Sequence, residues 1–464
     1  MILPPSLWAQ TSRGANPELQ ELKAQMAAQQ EQIRQLQELL RQQGTLLEAL
    51  QEKLGLALPM VPHEAASAPS AAFAPETLEK RVEQLETAVA ETKKEGESWR
   101  KRLSSFSFSG DLRVRYEPFF QEGAEFRNRE RARFRFQGVA SISKELTGGF
   151  RLATGALDNP GSTNQSFSGF FTHKLVTLDR FWLSYRPERA SWLTVTAGKF
   201  EPPWYRTELT FDNDLNPEGF AQTLSFDFKD SPLTNLKLVG FELPFNELSA
   251  AGDSFIWGGQ VQTHWKLSER ARLGFYAAGL NFRNADAIAV AIGNRSLNPS
   301  LGLSNHVRRD GSGNIIGYEE QFTYLDLIAE LRYAWQPRWP LRLTFNFVNN
   351  LRASDERSGY WAELNVGRLD EKGDWLFGYT LMRIEREAVI GAYNFDDLRS
   401  ATNVLGHRVR TAYQIHRSVT LDYTLLVGRL FNPHDTLNLV PAPFQPQGKD
   451  PYLKRMQFDV IYKF

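Results

Sequence analysis

The stretch FSFSGDLRVRYE at residues 106–117, followed by RERARFRFQ at 129–137, decides the fold. In the first, Phe106, Phe108, Leu112, Val114 and Tyr116 fall on one parity, and Ser107, Ser109, Asp111, Arg113 and Arg115 on the other. A period of two belongs to an extended strand, whose successive side chains point to opposite faces. In the second stretch Arg129, Arg131, Arg133, Arg135 and Gln137 alternate with Ala132, Phe134 and Phe136. Four arginines on one strand face would repel one another if buried against a second sheet. A water-filled lumen solvates them, while the apolar face of the same strand meets lipid. The two stretches therefore read as neighbouring strands of a transmembrane β-barrel.

The same alternation recurs to the end of the chain. Further strands are predicted near 148–157, 174–186, 191–200, 219–229, 234–245, 255–267, 271–282, 322–335, 339–349, 359–368, 374–386, 404–415, 418–431 and 453–464, sixteen in all. Single-chain bacterial barrels have an even number of strands. Alternate connections are short turns, among them 144–147, 187–190, 268–270, 336–338, 370–373 and 416–417, and the intervening ones are mostly longer, the largest from about 283 to 321. Turns sorted by parity in this way are expected of a barrel with short periplasmic turns and long external loops. With an even strand count, both ends of the barrel domain (105–464) fall on the short-turn side. Residues Met456, Phe458, Val460, Tyr462 and Phe464 alternate up to the last residue. This ending, with Phe458, Tyr462 and Phe464, resembles the assembly signal that the barrel-assembly machinery reads.

Upstream the period is different. From residue 19 an unbroken heptad runs through Leu19, Leu22, Met26, Gln29, Ile33, Leu36, Leu40, Gln43, Leu47, Leu50 and Leu54. Alternating three- and four-residue steps put all of these on one seam, as a left-handed coiled coil requires. The segment 17–54 is therefore an expected α-helical coiled coil with a seam about 54 Å long. Leucine at both seam positions leaves the number of strands open. Residues 55–76, with Pro59, Pro62, Pro69 and Pro75, read as an extended Ala/Pro linker. A short second helix at 77–97 carries Leu78, Val82, Leu85 and Val89. Residues 1–10 read either as the remnant of a signal peptide or as a disordered terminus.

Composition narrows the function classes. The 54 basic and 54 acidic residues balance, so no charged arm points to nucleic acid. There is no cysteine, which removes disulfides, thiolate metal sites and cysteine nucleophiles. The seven histidines lack metal-ligand spacing, and Asp310 to Asn314 is half a calcium loop without its closing Glu. No glycine-rich nucleotide motif opens a helix. His407 and His416 are conceivable partners for a rim hydrolase, but nothing singles them out. The expectation is a non-enzyme without cofactor or metal.

The stretches GDLRVRYE (110–117), RARFRFQGVASISKELTGGFRLATG (131–155), LDRFWLSYRP (178–187), LTVTAGKFEPPW (193–204) and DNDLNPEGFA (212–221) resemble the putative outer-membrane porin family, sixteen-stranded and coiled-coil-bearing. The resemblance is clearest over 106–230. More distantly the chain is similar to phosphate-selective porins, whose anion-binding lysines find no match here. The resemblance implies a homotrimeric diffusion channel in the cell outer membrane, in contact with its lipid, and the even strand count places the coiled coil in the periplasm. It also implies that the third external loop, about 201–218, folds inward. Glu208, Asp212 and Asp214 would then form the acidic side of a constriction, facing a basic wall of Arg113, Arg115, Arg131, Arg133, Arg135 and Arg151. Opposed charges across an aqueous gap orient and screen solutes. The alternative is that these arginines merely anchor the loop. Excess arginine suggests mild anion preference, offset by Asp326, Glu330, Glu363, Asp422 and Asp459. A second functional reading is structural, with the coiled coil tethering the membrane to the cell wall.

Overall fold

In a computed structural model, the described residues are 106–464 apart from 158, 248–251, 294–303, 396 and 434–450. The expected signal remnant (1–10), coiled coil (17–54), linker (55–76) and second helix (77–97) lie outside them.

Sixteen strands build the wall. They are β1 (Phe106–Phe120), β2 (Arg127–Ser141), β3 (Leu146–Thr154), β4 (Val176–Tyr185), β5 (Leu193–Lys199), β6 (Glu218–Asp227), β7 (Leu233–Asn246) and β8 (Ser254–Lys266). The second half comprises β9 (Ala271–Arg283), β10 (Thr323–Tyr333), β11 (Leu341–Asn350), β12 (Ser358–Gly367), β13 (Trp375–Ile384), β14 (Val404–His416), β15 (Val419–Leu430) and β16 (Leu453–Lys463). Each pairs antiparallel with the next, and β16 returns to β1, with Asp111 opposite Lys463 and Val114 opposite Val460. The seam is locked at its end by Gly110 N–H donating to Phe464 O at 2.9 Å and Phe464 N–H donating to Gly110 O at 3.1 Å. Closure pairs the wall's edge strands with each other, so no ladder is left open, which lipid would not tolerate.

The period-two reading of the sequence sets the two faces. Phe106, Phe108, Leu112, Val114 and Tyr116 of β1 are exposed on the outside, as are Phe458, Val460 and Tyr462 of β16 and Phe464 after it. A belt of this kind is stable only against lipid, because water would leave a contiguous apolar surface uncovered. Loop lengths sort by end. Five of the eight connections at one end, 155–175, 200–217, 284–322, 385–403 and 431–452, run from 18 to 39 residues, and the other three, 121–126, 247–253 and 351–357, have six or seven. At the end carrying residues 106 and 464, connections between described strands run from two to seven residues.

The long connections carry structure of their own. A two-residue strand, Gln165–Ser166, lies back on β2. The connection after β9 holds helix α1 (Asp286–Gly293) and a small hairpin of Val307–Arg309 with Ile315–Tyr318. Inside the barrel, buried side chains of β6 to β15, such as Phe241, Leu280, Tyr324, Trp361 and Met382, form one apolar cluster with Trp204, Leu209 and Phe211 of residues 200–217.

Two glycines set the root of that loop. Gly198 and Gly219 face each other across β5 and β6 at φ of +116° and +134°. A Cβ on either would come within 2.3 Å of a carbonyl oxygen, that of Phe181 or Glu242. Only glycine adopts this backbone cheaply.

Candidate functional site

A cavity of about 1760 Å³ follows one side of the barrel interior. Its wall is formed by β1, β2 and β11 to β16, and its other side by residues 205–214. It is lined from Gln121 and Ala124, in the first long-end connection, down to Ile461 and Lys463 near the short-turn end. Among the described residues its lining carries 14 basic side chains against nine acidic ones, an excess of five positive charges.

The arginines come from the alternation of β1 and β2, and antiparallel register brings them face to face. Arg113 lies opposite Arg133, and Arg115 opposite Arg131. Like charges directly opposed destabilise a sheet, so counter-charges must lie beside them. Asp111 holds Arg133 and Arg135, both at 2.7 Å. Asp459, brought by closure of the barrel, holds Arg115 through two hydrogen bonds of 2.7 Å. Glu117, completely buried, holds Arg129 and Arg455, both at 2.6 Å. Besides lumen water, carboxylates of β1 and β16 thus neutralise much of the ladder. Arg113, Arg115, Arg131, Arg133 and Arg135 line the cavity. Arg151 departs from the expected wall. A bulge in the β3–β4 pairing follows it, and it turns to Asp179, outside the cavity lining.

Residues 200–217 make their polar contacts well away from their own strands. Tyr205 N–H donates to Gln260 of β8 at 2.8 Å, and the Tyr205 hydroxyl donates to Glu330 of β10. Thr207 bonds Asn346 of β11 at 2.5 Å. Glu208 pairs with Arg408 of β14 at 2.5 Å, about half the circumference away from β5 and β6. Glu208, Asp212 and Asp214 all line the cavity, but they do not form one acidic row. Glu208 meets Arg408 rather than the ladder, and the Asp212 carboxylate accepts from Asp214 N–H at 2.7 Å. Asp214 accepts from the Thr163 N–H at 3.0 Å and lies 3.4 Å from Arg135. Burial alone would raise the Asp214 carboxyl. The Thr163 N–H and the Arg133 and Arg135 charges outweigh burial and hold it below the usual carboxylate range.

Of the expected lumen acids, Glu363, Asp422 and Asp459 line the cavity. Asp326 and Glu330 are instead buried among the loop contacts, Asp326 accepting from Asn346 at 2.5 Å.

Sequence reasoning missed a second loop, 385–403. Its Ala388, Val389 and Ile390 are completely buried, and its Phe395, Asp397, Leu398 and Arg399 line the cavity. Asp397 lies 2.7 Å from Arg455 and accepts from Gln457 at 3.0 Å. Burial opposes its ionisation, but Arg455, Arg115 and Arg131 win and hold it well below the usual carboxylate range. The apolar run Ala388-Val389-Ile390 just after a strand was the available signal, since a solvated loop has no use for it. Among the described residues, no cluster of His, Asp and Glu could hold a metal ion. His407 bonds Tyr379 at 2.8 Å, and no serine nucleophile is among the partners seen for it.

Residues 118–293 match the model of a family described as "Putative porin". No curated protein matches the chain. Among solved structures it is similar to Pseudomonas putida OprB at 10% identity and a TM-score of 0.47, covering 80% of this chain and 97% of that one. It is also similar to Salmonella typhi OmpF, at 12% identity and a TM-score of 0.44, covering 77% and 97%. A third is OmpT, an outer-membrane protein of Vibrio cholerae, at 9% identity and a TM-score of 0.42, covering 77% and 99%. The family match covers 176 of the chain's 464 residues, and the described residues build a closed sixteen-strand barrel.

Proposed function

We propose, starting from the porin match over residues 118–293, that the barrel is a passive channel for small hydrophilic solutes and ions. In this reading residues 200–217 narrow the lumen, leaving the passage between their cavity-facing side and the arginine wall. The observation that carries it is the continuity of the cavity from Gln121 to Lys463. From Asp111 of β1 to Gln121, just past the end of that strand, the lining runs for ten residues, about 26 Å along the barrel axis once strand tilt is allowed for. That matches the roughly 25 Å apolar band of such barrels. The excess of five positive charges favours anions. Liposomes carrying the refolded chain should swell readily in a monosaccharide and more slowly in a trisaccharide. No swelling in either would contradict an open passage.

The barrel is expected to sit in outer-membrane lipid as a homotrimer, with residues 17–97 in the periplasm. The unbroken heptad from Leu19 to Leu54 supports a second role, a tether from the barrel to the cell wall. Deleting residues 10–100 separates the two roles of the coil. Loss of envelope attachment with trimers intact indicates a tether, and dissociation of trimers indicates oligomerisation.

A further inference from the structure

The guanidiniums around β1, β2 and β16 are matched unevenly. Arg115, Arg129, Arg133, Arg135 and Arg455 each have a carboxylate oxygen within 2.7 Å. Arg113 and Arg131 do not. Arg113 lies 3.9 Å from Asp459, and Arg131 lies 3.8 Å from Glu117. Both carboxylates are already held closely, Asp459 by Arg115 and Glu117 by Arg129 and Arg455. Asp214 is occupied by Thr163 and Arg135, and Asp397 by Arg455 and Gln457. The Nε–H groups of Arg113 and Arg131 are buried without a hydrogen-bond partner, which is costly for a charged donor.

These two arginines are diagonal neighbours across β1 and β2, and they converge on the same segment. Arg113 Nη2 donates to Asn164 Oδ1 at 2.5 Å, and Arg131 Nη2 donates to Ser162 Oγ at 3.3 Å. Asn164 Nδ2 in turn donates to Ser162 Oγ at 3.2 Å. All four residues line the cavity.

We propose that Arg113 and Arg131, framed by Ser162 and Asn164, form an oxyanion subsite in the channel wall, taking the phosphate or carboxylate group of a passing solute. The inference rests on the channel reading and names what the channel would hold. Two planar guanidinium forks present donors in the geometry that carboxylate and phosphate oxygens accept. Both side chains are nearly closed off from bulk water, so their charge is poorly screened, and the solute would supply the counter-charge that the fold does not. The neighbouring carboxylates keep the subsite from binding too tightly, as conduction requires.

The test uses the full refolded chain in a planar bilayer in potassium chloride, with inorganic phosphate or acetate titrated in. Chloride current should fall as either oxyanion is added. Arg113→Gln and Arg131→Gln should each raise the half-blocking concentration about tenfold or more, as expected for losing a charge-assisted hydrogen bond. Asn164→Asp, which leaves every barrel strand untouched, should abolish block by placing a negative charge at the subsite. The proposal is overturned if neither oxyanion reduces an established chloride current, or if block survives undiminished in the variants that fold. Absence of any chloride current from a folded, inserted barrel instead overturns the channel reading.

Discussion

Replacing Glu117 by Gln removes the counter-charge on which the basic wall converges. The Glu117 Oε1 accepts from Arg455 Nε at 2.7 Å and from Gln457 Nε2 at 2.9 Å, and Oε2 accepts from Arg129 Nε at 2.7 Å. Arg115 and Arg131 stand a further step away, each at 3.8 Å. A glutamine is nearly the same size and keeps one carbonyl acceptor, but its NH2 must point at a guanidinium, donor against donor. Four arginines lose a shared anion at a position with no solvent exposure. Removing one partner of a buried ion pair costs about 3–5 kcal/mol. Arg129 is 22% exposed and can turn to water, which places the expected loss near the lower end, about 3 kcal/mol. The assay is urea unfolding of the refolded barrel in detergent, followed by tryptophan fluorescence. The midpoint should fall with an unchanged slope, the signature of lost stability rather than altered compactness. Combined with Arg129→Gln, the loss should be far from additive, because the two side chains share one interaction. A midpoint equal to that of the parent chain would refute the claim that Glu117 holds the wall together.

Glu208→Gln should loosen the loop's attachment to β14 while leaving Arg408 its second partner, Glu363 at 3.1 Å. Noisier, larger single-channel currents at little cost in unfolding midpoint are expected, and steps identical to the parent's would count against a narrowing role for the loop. The acid response follows from Asp214 and Asp397, whose pKa values are lowered in the folded chain. A carboxyl depressed on folding contributes stability fully above its unfolded pKa, about 4, and loses it as pH falls through its own lower value. The contribution of these two carboxylates should therefore be complete from neutral pH to about pH 5 and be lost only below about pH 4. A transition near neutrality in a pH series would show that other groups control the loops. Asp397→Asn should reproduce the acid-induced change at neutral pH.

The wall was legible because lipid on one side and water on the other impose a strict period of two, as in Phe106 to Glu117. Loop lengths carried the sidedness, since short turns must close hairpins and long loops need not. What fills the lumen was harder to read. The strand 271–283 is apolar on both faces, with Tyr276, Ala278, Leu280 and Phe282 buried inside and Phe275 exposed outside. Such two-sided burial signals packing against a covered face, and here Trp204, Leu209 and Phe211 are part of that packing. The pairing of Arg115 with Asp459 spans 344 residues and exists only because the barrel closes. No local pattern announces it. The departure of Arg151 has the same character, since it depends on a bulge that periodicity cannot reveal. Asp397 was hidden because a charged residue in a long loop ordinarily reads as solvated.

An open aqueous passage through the barrel with a positive lining should carry single-channel current across a potassium chloride gradient. Stable steps with a reversal potential on the chloride side are the expected result, shifting toward zero in Arg131→Gln and Arg133→Gln. A folded, membrane-inserted barrel that passes no current, or one that prefers potassium, would contradict the claim.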